Sequence, residues 1–171
     1  MRRAGTWAII ILVVCGGLVA IVGLVGALMP AEDVAVAQTF VPHPPEAVWL
    51  VITNYGQLSS WNPQYVRSEL LPPASNGHPR WLAVLGQGYT VTFEQTESDP
   101  PKRLVNTVVD KRLPFGGSLT FSLVPLDQGT ALTLTSRGEI YNPFVRFFSF
   151  FFFKHKPLVE RAVASLKSRV K

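Results

Sequence analysis

The 171-residue sequence predicts an α+β protein in which one transmembrane helix precedes a curved antiparallel seven-stranded sheet, with two short helices and a long C-terminal helix. Three observations lead there. An uncharged run, WAIIILVVCGGLVAIVGLVGALM, extends from Trp7 to Met29. Between Val34 and Ile140, runs of strand composition alternate with clusters of turn residues. A helical stretch then follows Tyr141-Asn142-Pro143 and continues to the C-terminus.

At ~1.5 Å per residue the apolar run is long enough to cross a ~30 Å hydrocarbon core. Arg2 and Arg3 flank it on one side and Glu32 and Asp33 on the other. The positive-inside bias therefore predicts a single-pass plasma-membrane protein with a cytoplasmic N-terminus and an extracytoplasmic domain. Ala35-Val36-Ala37 offers a small-x-small signal cleavage site, yet signal cores run only about 7–15 residues, which favours an uncleaved anchor. Gly16, Ala20, Gly23 and Ala27 recur at helical spacing and form a small-residue stripe suited to a homodimer contact. Residues 1–33 are thus read as anchor and short linker, and residues 34–171 as the domain. A linker of four or five residues reaches only ~15 Å and holds the domain against the membrane surface.

The first strand is VAVAQTFV. PPEAVWLVITNYGQLSSW then opens with proline at a helix start and spaces Val48, Ile52 and Tyr55 as a helix does, predicting two short helices joined near Gly56. Six strands follow: YVRSELL, RWLAVLG, GYTVTFEQTES, RLVNTVVD, GGSLTFSLVPL and GTALTLTSRGEI. In the last of these Leu132 and Leu134 alternate with threonines, as an antiparallel sheet with one buried face requires.

This order of elements is that of a helix-grip fold. Together with PPEAVWLVITNYGQLSSWNP, LPFGG and SRGEIYNPFVRF, it gives the chain from about residue 36 onward a resemblance to the START-like superfamily, nearest its SRPBCC or polyketide cyclase/dehydrase branch. The resemblance implies an apolar cavity between sheet and C-terminal helix that takes a hydrophobic small molecule or a lipid. Trp81, Val91, Phe93, Leu119, Phe121, Phe144 and Phe148 are the residues expected to line it. An aromatase/cyclase- or dehydratase-like enzyme is the first alternative. An interaction module with a filled core is the second.

Chemistry-bearing patterns are sparse. No histidine has a second ligand at metal spacing, no glycine-rich loop opens a helix, and no G-x-S-x-G elbow is present, so neither a metal nor another cofactor is expected. Each of His43, His78 and His155 reads as a loop or surface residue. The formal charge of +5 is scattered, without a nucleic-acid-binding motif, and nucleic acid is not an expected partner. Cys15, the single cysteine, lies in the apolar run and can form no internal disulfide. Arg137 and Glu139 are the polar candidates for chemistry, although at alternate positions they can simply pair with each other on the outer face. Trp61-Asn62-Pro63 reads as the wedge closing the second short helix.

The stretch RFFSFFFFKHK poses a separate problem. A helix starting near Asn142 places Phe144, Phe147, Phe148, Phe151 and Phe152 on one face, expected to grip the sheet. Phe150 and Phe153 fall on the opposite face with Arg146 and Ser149. With Lys154 and Lys156 they are candidates for contact with the membrane, and the helix is expected to break just before Pro157.

Overall fold

The computed structural model describes residues 2–86, 88–152 and 154–170. Helix α1 (Arg2–Leu28) is followed after three residues by β1 (Glu32–Val41), then α2 (Pro45–Ile52) and a 3₁₀ helix (Tyr55–Ser60). Strands β2 (Tyr65–Leu71), β3 (Arg80–Leu85), β4 (Thr90–Asp99), β5 (Arg103–Val108), β6 (Phe115–Leu126) and β7 (Gly129–Ile140) come next. Two helices, α3 (Pro143–Phe152) and α4 (His155–Arg169), close the chain. All strands are antiparallel in one sheet of order β1-β7-β6-β5-β4-β3-β2.

Local chemistry sets these boundaries. Pro45 occupies the first turn of α2, where its missing N–H leaves no bond unmade. Asn62 Oδ1 accepts from Gln64 N at 3.1 Å, the side-chain turn that ends the 3₁₀ segment and starts β2. Asn142 Oδ1 accepts from Phe144 N at 2.9 Å and Val145 N at 3.2 Å, capping α3.

The core sits on one sheet face. Leu132 and Leu134 of β7, Leu104 of β5, and Phe121 and Leu123 of β6 are buried there, under Val159, Ala162, Val163 and Leu166 of α4. Helix α4 packs on β1 and β7 and is therefore the gripping helix. Trp81 anchors the other half of the core: its ring stacks on Phe93 at 4.3 Å between centroids, with Tyr55 and Tyr65 at 5.8 and 5.6 Å on its other sides. Such pairs contribute about 0.5–1.5 kcal/mol each beyond the area they bury.

Helix α3 departs from the expectation that its phenylalanines grip the sheet. It turns away and packs along α1. The reason lies in α1: a Cβ added at Gly26 would collide with Pro143 O, and one at Gly23 would lie 3.1 Å from Phe144 Cζ. These glycines give α3 a flat surface on which to lie. Arg146 completes the contact. Its Nη1 donates to Gly26 O at 3.3 Å and Met29 O at 3.1 Å, while its Nη2 and Nε donate to Ile140 O at 2.8 and 3.2 Å. One side chain thus satisfies carbonyls at the end of α1 and at the end of β7.

The helix break also falls earlier than expected. Helix α4 already begins at His155, so Pro157 lies within its first turn, where a proline removes no intrahelical bond.

Candidate ligand cavity

Between the sheet and α4 lies a cavity of about 180 Å³. Its deep wall includes Trp81, Phe93, Asn106, Phe121 and Leu134, and it extends to Leu85, Val108, Phe115 and Gly138. These last residues mark one end of the sheet. The ends of β3, β5 and β7 meet the beginnings of β2, β4, β6 and β1 there, through pairs such as Tyr65↔Leu85, Phe115↔Ile140 and Glu32↔Glu139. The cavity therefore lies toward the end of the domain that α1 enters and α3 leaves.

Glycines shape this end. Gly117 has φ +130°, and a Cβ on it would collide with Arg137 O, so only glycine lets β6 and β7 approach so closely. Gly117 pairs with Gly138, and the absence of side chains at both leaves the sheet thin beside the cavity. Gln64 Nε2 donates to Leu158 O at 3.3 Å and ties the start of β2 to α4.

Of the residues the sequence nominated, Trp81, Val91, Phe93, Leu119 and Phe121 border the cavity. Phe144 and Phe148 do not: they lie on α3, respectively 41% and 53% exposed, because that helix follows α1 rather than the sheet. Arg137 borders the cavity's rim but is not paired with Glu139, which accepts instead from Tyr141 Oη at 3.2 Å. Phe150 is 68% exposed, and Lys154 and Lys156 are exposed, Lys156 lying 3.9 Å from Glu160. Phe153 lies outside the described residues. In the small-residue stripe Gly23 is covered by Phe144 of the same chain, whereas Gly16, Ala20 and Ala27 are exposed. Intramolecular packing has taken one of the four positions expected to meet a second copy.

Polar groups in the cavity are few and specific. Trp61 and Trp81 are wall residues, but their indole nitrogens are sealed from the open space and have no hydrogen-bond partner among the described residues. Asn106 is buried, and its Oδ1 lies 3.3 Å from the Tyr55 hydroxyl, which also donates to Gln95 Oε1 at 2.7 Å. Burial pushes the Tyr55 and Tyr65 hydroxyls well above the usual tyrosine range, so both stay protonated.

Sequence reasoning missed a second polar group entirely. Ser136 Oγ lies 2.8 Å from His155 Nε2, and His155 Nδ1 lies 3.1 Å from Asp33 Oδ2. His155, read from sequence as a surface residue, is the first residue of α4 and forms part of the cavity wall, as does Ser136. No local spacing could reveal this, because the three residues come from β1, β7 and α4. Among the described residues no group of three or more His, Cys, Asp or Glu side chains could hold a metal ion.

A curved antiparallel sheet gripping a C-terminal helix over an apolar cavity defines the helix-grip class. The family model described as "Polyketide cyclase / dehydrase and lipid transport" matches residues 33–171, and the chain belongs to that family. Solved structures agree on the fold. A Thermus thermophilus protein is 22% identical with a TM-score of 0.64, over 81% of this chain and 97% of that one. A Mesorhizobium loti protein is 20% identical with a TM-score of 0.59, over 80% and 95% of the two chains. The Zhui aromatase/cyclase from a Streptomyces species is 16% identical with a TM-score of 0.62, over 82% and 96%. No curated protein matches the sequence.

Proposed function

We propose that this chain is a membrane-anchored binding protein for a small hydrophobic molecule, which it exchanges with the bilayer. The observation that carries the reading is the position of the cavity, at the end of the sheet joined to α1 by three residues. Extended, those residues span only about 10 Å, which keeps that end beside the apolar helix.

Support for membrane anchoring is threefold. Ile10–Leu28 is long and apolar enough to cross a bilayer, and very little of it is buried against the rest of the chain. Helix α3 continues the same apolar surface with Phe148, Phe150, Phe151 and Phe152 exposed. Signal cleavage at Ala35-Val36-Ala37 would cut through the middle of β1, where Ala35 and Ala37 are buried and paired with Ser136 and Leu134. The arginines at positions 2 and 3 favour a cytoplasmic N-terminus and an extracytoplasmic domain.

Size narrows the ligand. Pockets for drug-sized molecules run about 300–1,000 Å³, whereas an apolar cavity of about 150 Å³ takes one benzene ring. At about 180 Å³ the cavity suits a single ring or a short branched chain, and any larger ligand would extend through its open side. The Asn106 side-chain amide in the cavity wall favours a ligand carrying a polar group at one end.

Native mass spectrometry of the full-length chain released from membranes tests this. A stoichiometric apolar adduct is expected. A bare mass that persists after challenge with membrane lipid extract would overturn the reading in favour of an interaction module.

A further inference from the structure

We infer that Ser136, His155 and Asp33 form a nucleophile, base and orienting carboxylate, and that the cavity hydrolyses small carboxylic esters whose acyl group it holds. The inference rests on the cavity being a ligand site.

The sheet register brings the three together. Asp33, Ala35 and Ala37 alternate onto the face of β1 that α4 covers, and Ala35↔Ser136 and Asp33↔Gly138 are opposite pairs with β7. His155 enters above them as the first residue of α4. A Cβ on Gly138 would lie 3.6 Å from His155 Cε1, so the imidazole rests over a glycine.

Proton positions follow from the partners. A carboxylate only accepts, so the neutral imidazole carries its hydrogen on Nδ1, toward Asp33 at 3.1 Å. The Nε2 lone pair is left facing Ser136, whose hydroxyl donates to it at 2.8 Å. This is the order of roles that activates a serine: nucleophile to base, base to orienter. Exposure rises along the chain of three, so the carboxylate orients the ring from the solvent side. Ser136 is 7% exposed in the cavity wall, the His155 side chain 23%, and the Asp33 side chain 69%.

In the reaction, Ser136 Oγ bonds to the ester carbonyl carbon while its proton passes to His155 Nε2. The bond to the alcohol oxygen breaks, and the imidazolium returns that proton to the departing alkoxide. Water then attacks the acyl carbon, giving a proton to Nε2. The Oγ–carbon bond breaks, Oγ is reprotonated, and a carboxylic acid leaves. General-base assistance of this kind contributes about 10²–10⁴-fold. The cavity has room for an acyl group that is a short chain or one ring. Asp33 touches no substrate and acts as a positioning residue.

The full-length chain in detergent micelles is treated with an alkyl fluorophosphonate, the modified peptide is identified, and p-nitrophenyl butyrate hydrolysis is followed in parallel. A phosphonyl adduct on Ser136 is expected, absent in Ser136→Ala. Both labelling and hydrolysis should slow at least about tenfold in His155→Asn and Asp33→Asn and recover in Asp33→Glu, which a purely structural latch would not produce. Folded wild type without an adduct on Ser136, or equal labelling in Asp33→Asn, overturns the inference. Should His155→Asn fail to fold, the exposed Asp33 decides. A co-purifying apolar ligand without an adduct overturns hydrolysis and leaves the binding reading standing.

Discussion

The ring of Phe144 lies against Gly23, so that a Cβ on the glycine would come within 3.1 Å of Phe144 Cζ. Two segments far apart in sequence meet here, and the contact decides where α3 goes. Gly26 is the stricter position, because its neighbour is the backbone oxygen of Pro143, which cannot rotate aside as a ring can. Gly26→Leu is therefore expected to push α3 off α1 at a cost of about 1–3 kcal/mol. For a chain of this size that is a fall in Tm of about 2–4 °C per kcal/mol, read by thermal unfolding in detergent. An unchanged Tm would show that the two helices do not pack as described.

Trp81 joins the two halves of the core and borders the cavity. Trp81→Ala should destabilise the domain by about 3–5 kcal/mol. Trp81→Phe should cost less while enlarging the cavity, and in native mass spectra it should retain a heavier apolar adduct than wild type. If the adduct profile stays identical, the ligand does not lie against this ring.

Tyrosine ionisation gives a pH test. Burial raises the folded-state values of Tyr55 and Tyr65 above the unfolded value near 10. The stability this supplies is fully present below about pH 10 and is lost as the pH climbs beyond it, because the unfolded chain releases those protons first. Ultraviolet difference absorbance should show these two phenols ionising only as near-ultraviolet circular dichroism collapses. Complete titration near pH 10 with the fold intact would contradict their burial.

Lipid contact of α3 is testable by labelling. The exposed rings of Phe148, Phe150, Phe151 and Phe152 fall in the tryptic peptide spanning residues 147–154. In vesicles carrying a photoactivatable phospholipid, this peptide should be labelled along with the one spanning residues 4–67, which contains most of α1. Labelling confined to α1 would place α3 outside the bilayer.

The strands, α2 and the turn at Asn62 were legible because alternation, proline placement and asparagine turns are local signals. Of the residues expected to line a cavity, those on β3, β4 and β6 face the space beneath α4. Helix α3 was misjudged for a definite reason: an apolar stripe at helical period looks the same whether it meets its own sheet, another helix or lipid. Its partner is encoded in Gly23 and Gly26. Sequence reading assigned the first of these to a second copy of the chain and gave the second no role. The Ser136–His155–Asp33 chain was illegible because it depends on strand register and on where α4 begins, and neither is written near those residues.

Arg146 has a consequence for how fast the domain meets its surroundings. By bonding to Gly26, Met29 and Ile140 at once, it joins the C-terminal end of α1 to the end of β7 beside the cavity. In the membrane-anchored reading proposed above, a long linker would let the domain tumble, so that its cavity faced the bilayer for only a fraction of the time. Here the linker is three residues long and this side chain braces it. On that reading, a molecule leaving the lipid would meet the mouth at an effective concentration set by geometry rather than by a search through water. Replacing Arg146 with a shorter side chain would turn that fixed orientation into a swinging one and slow uptake without altering the cavity.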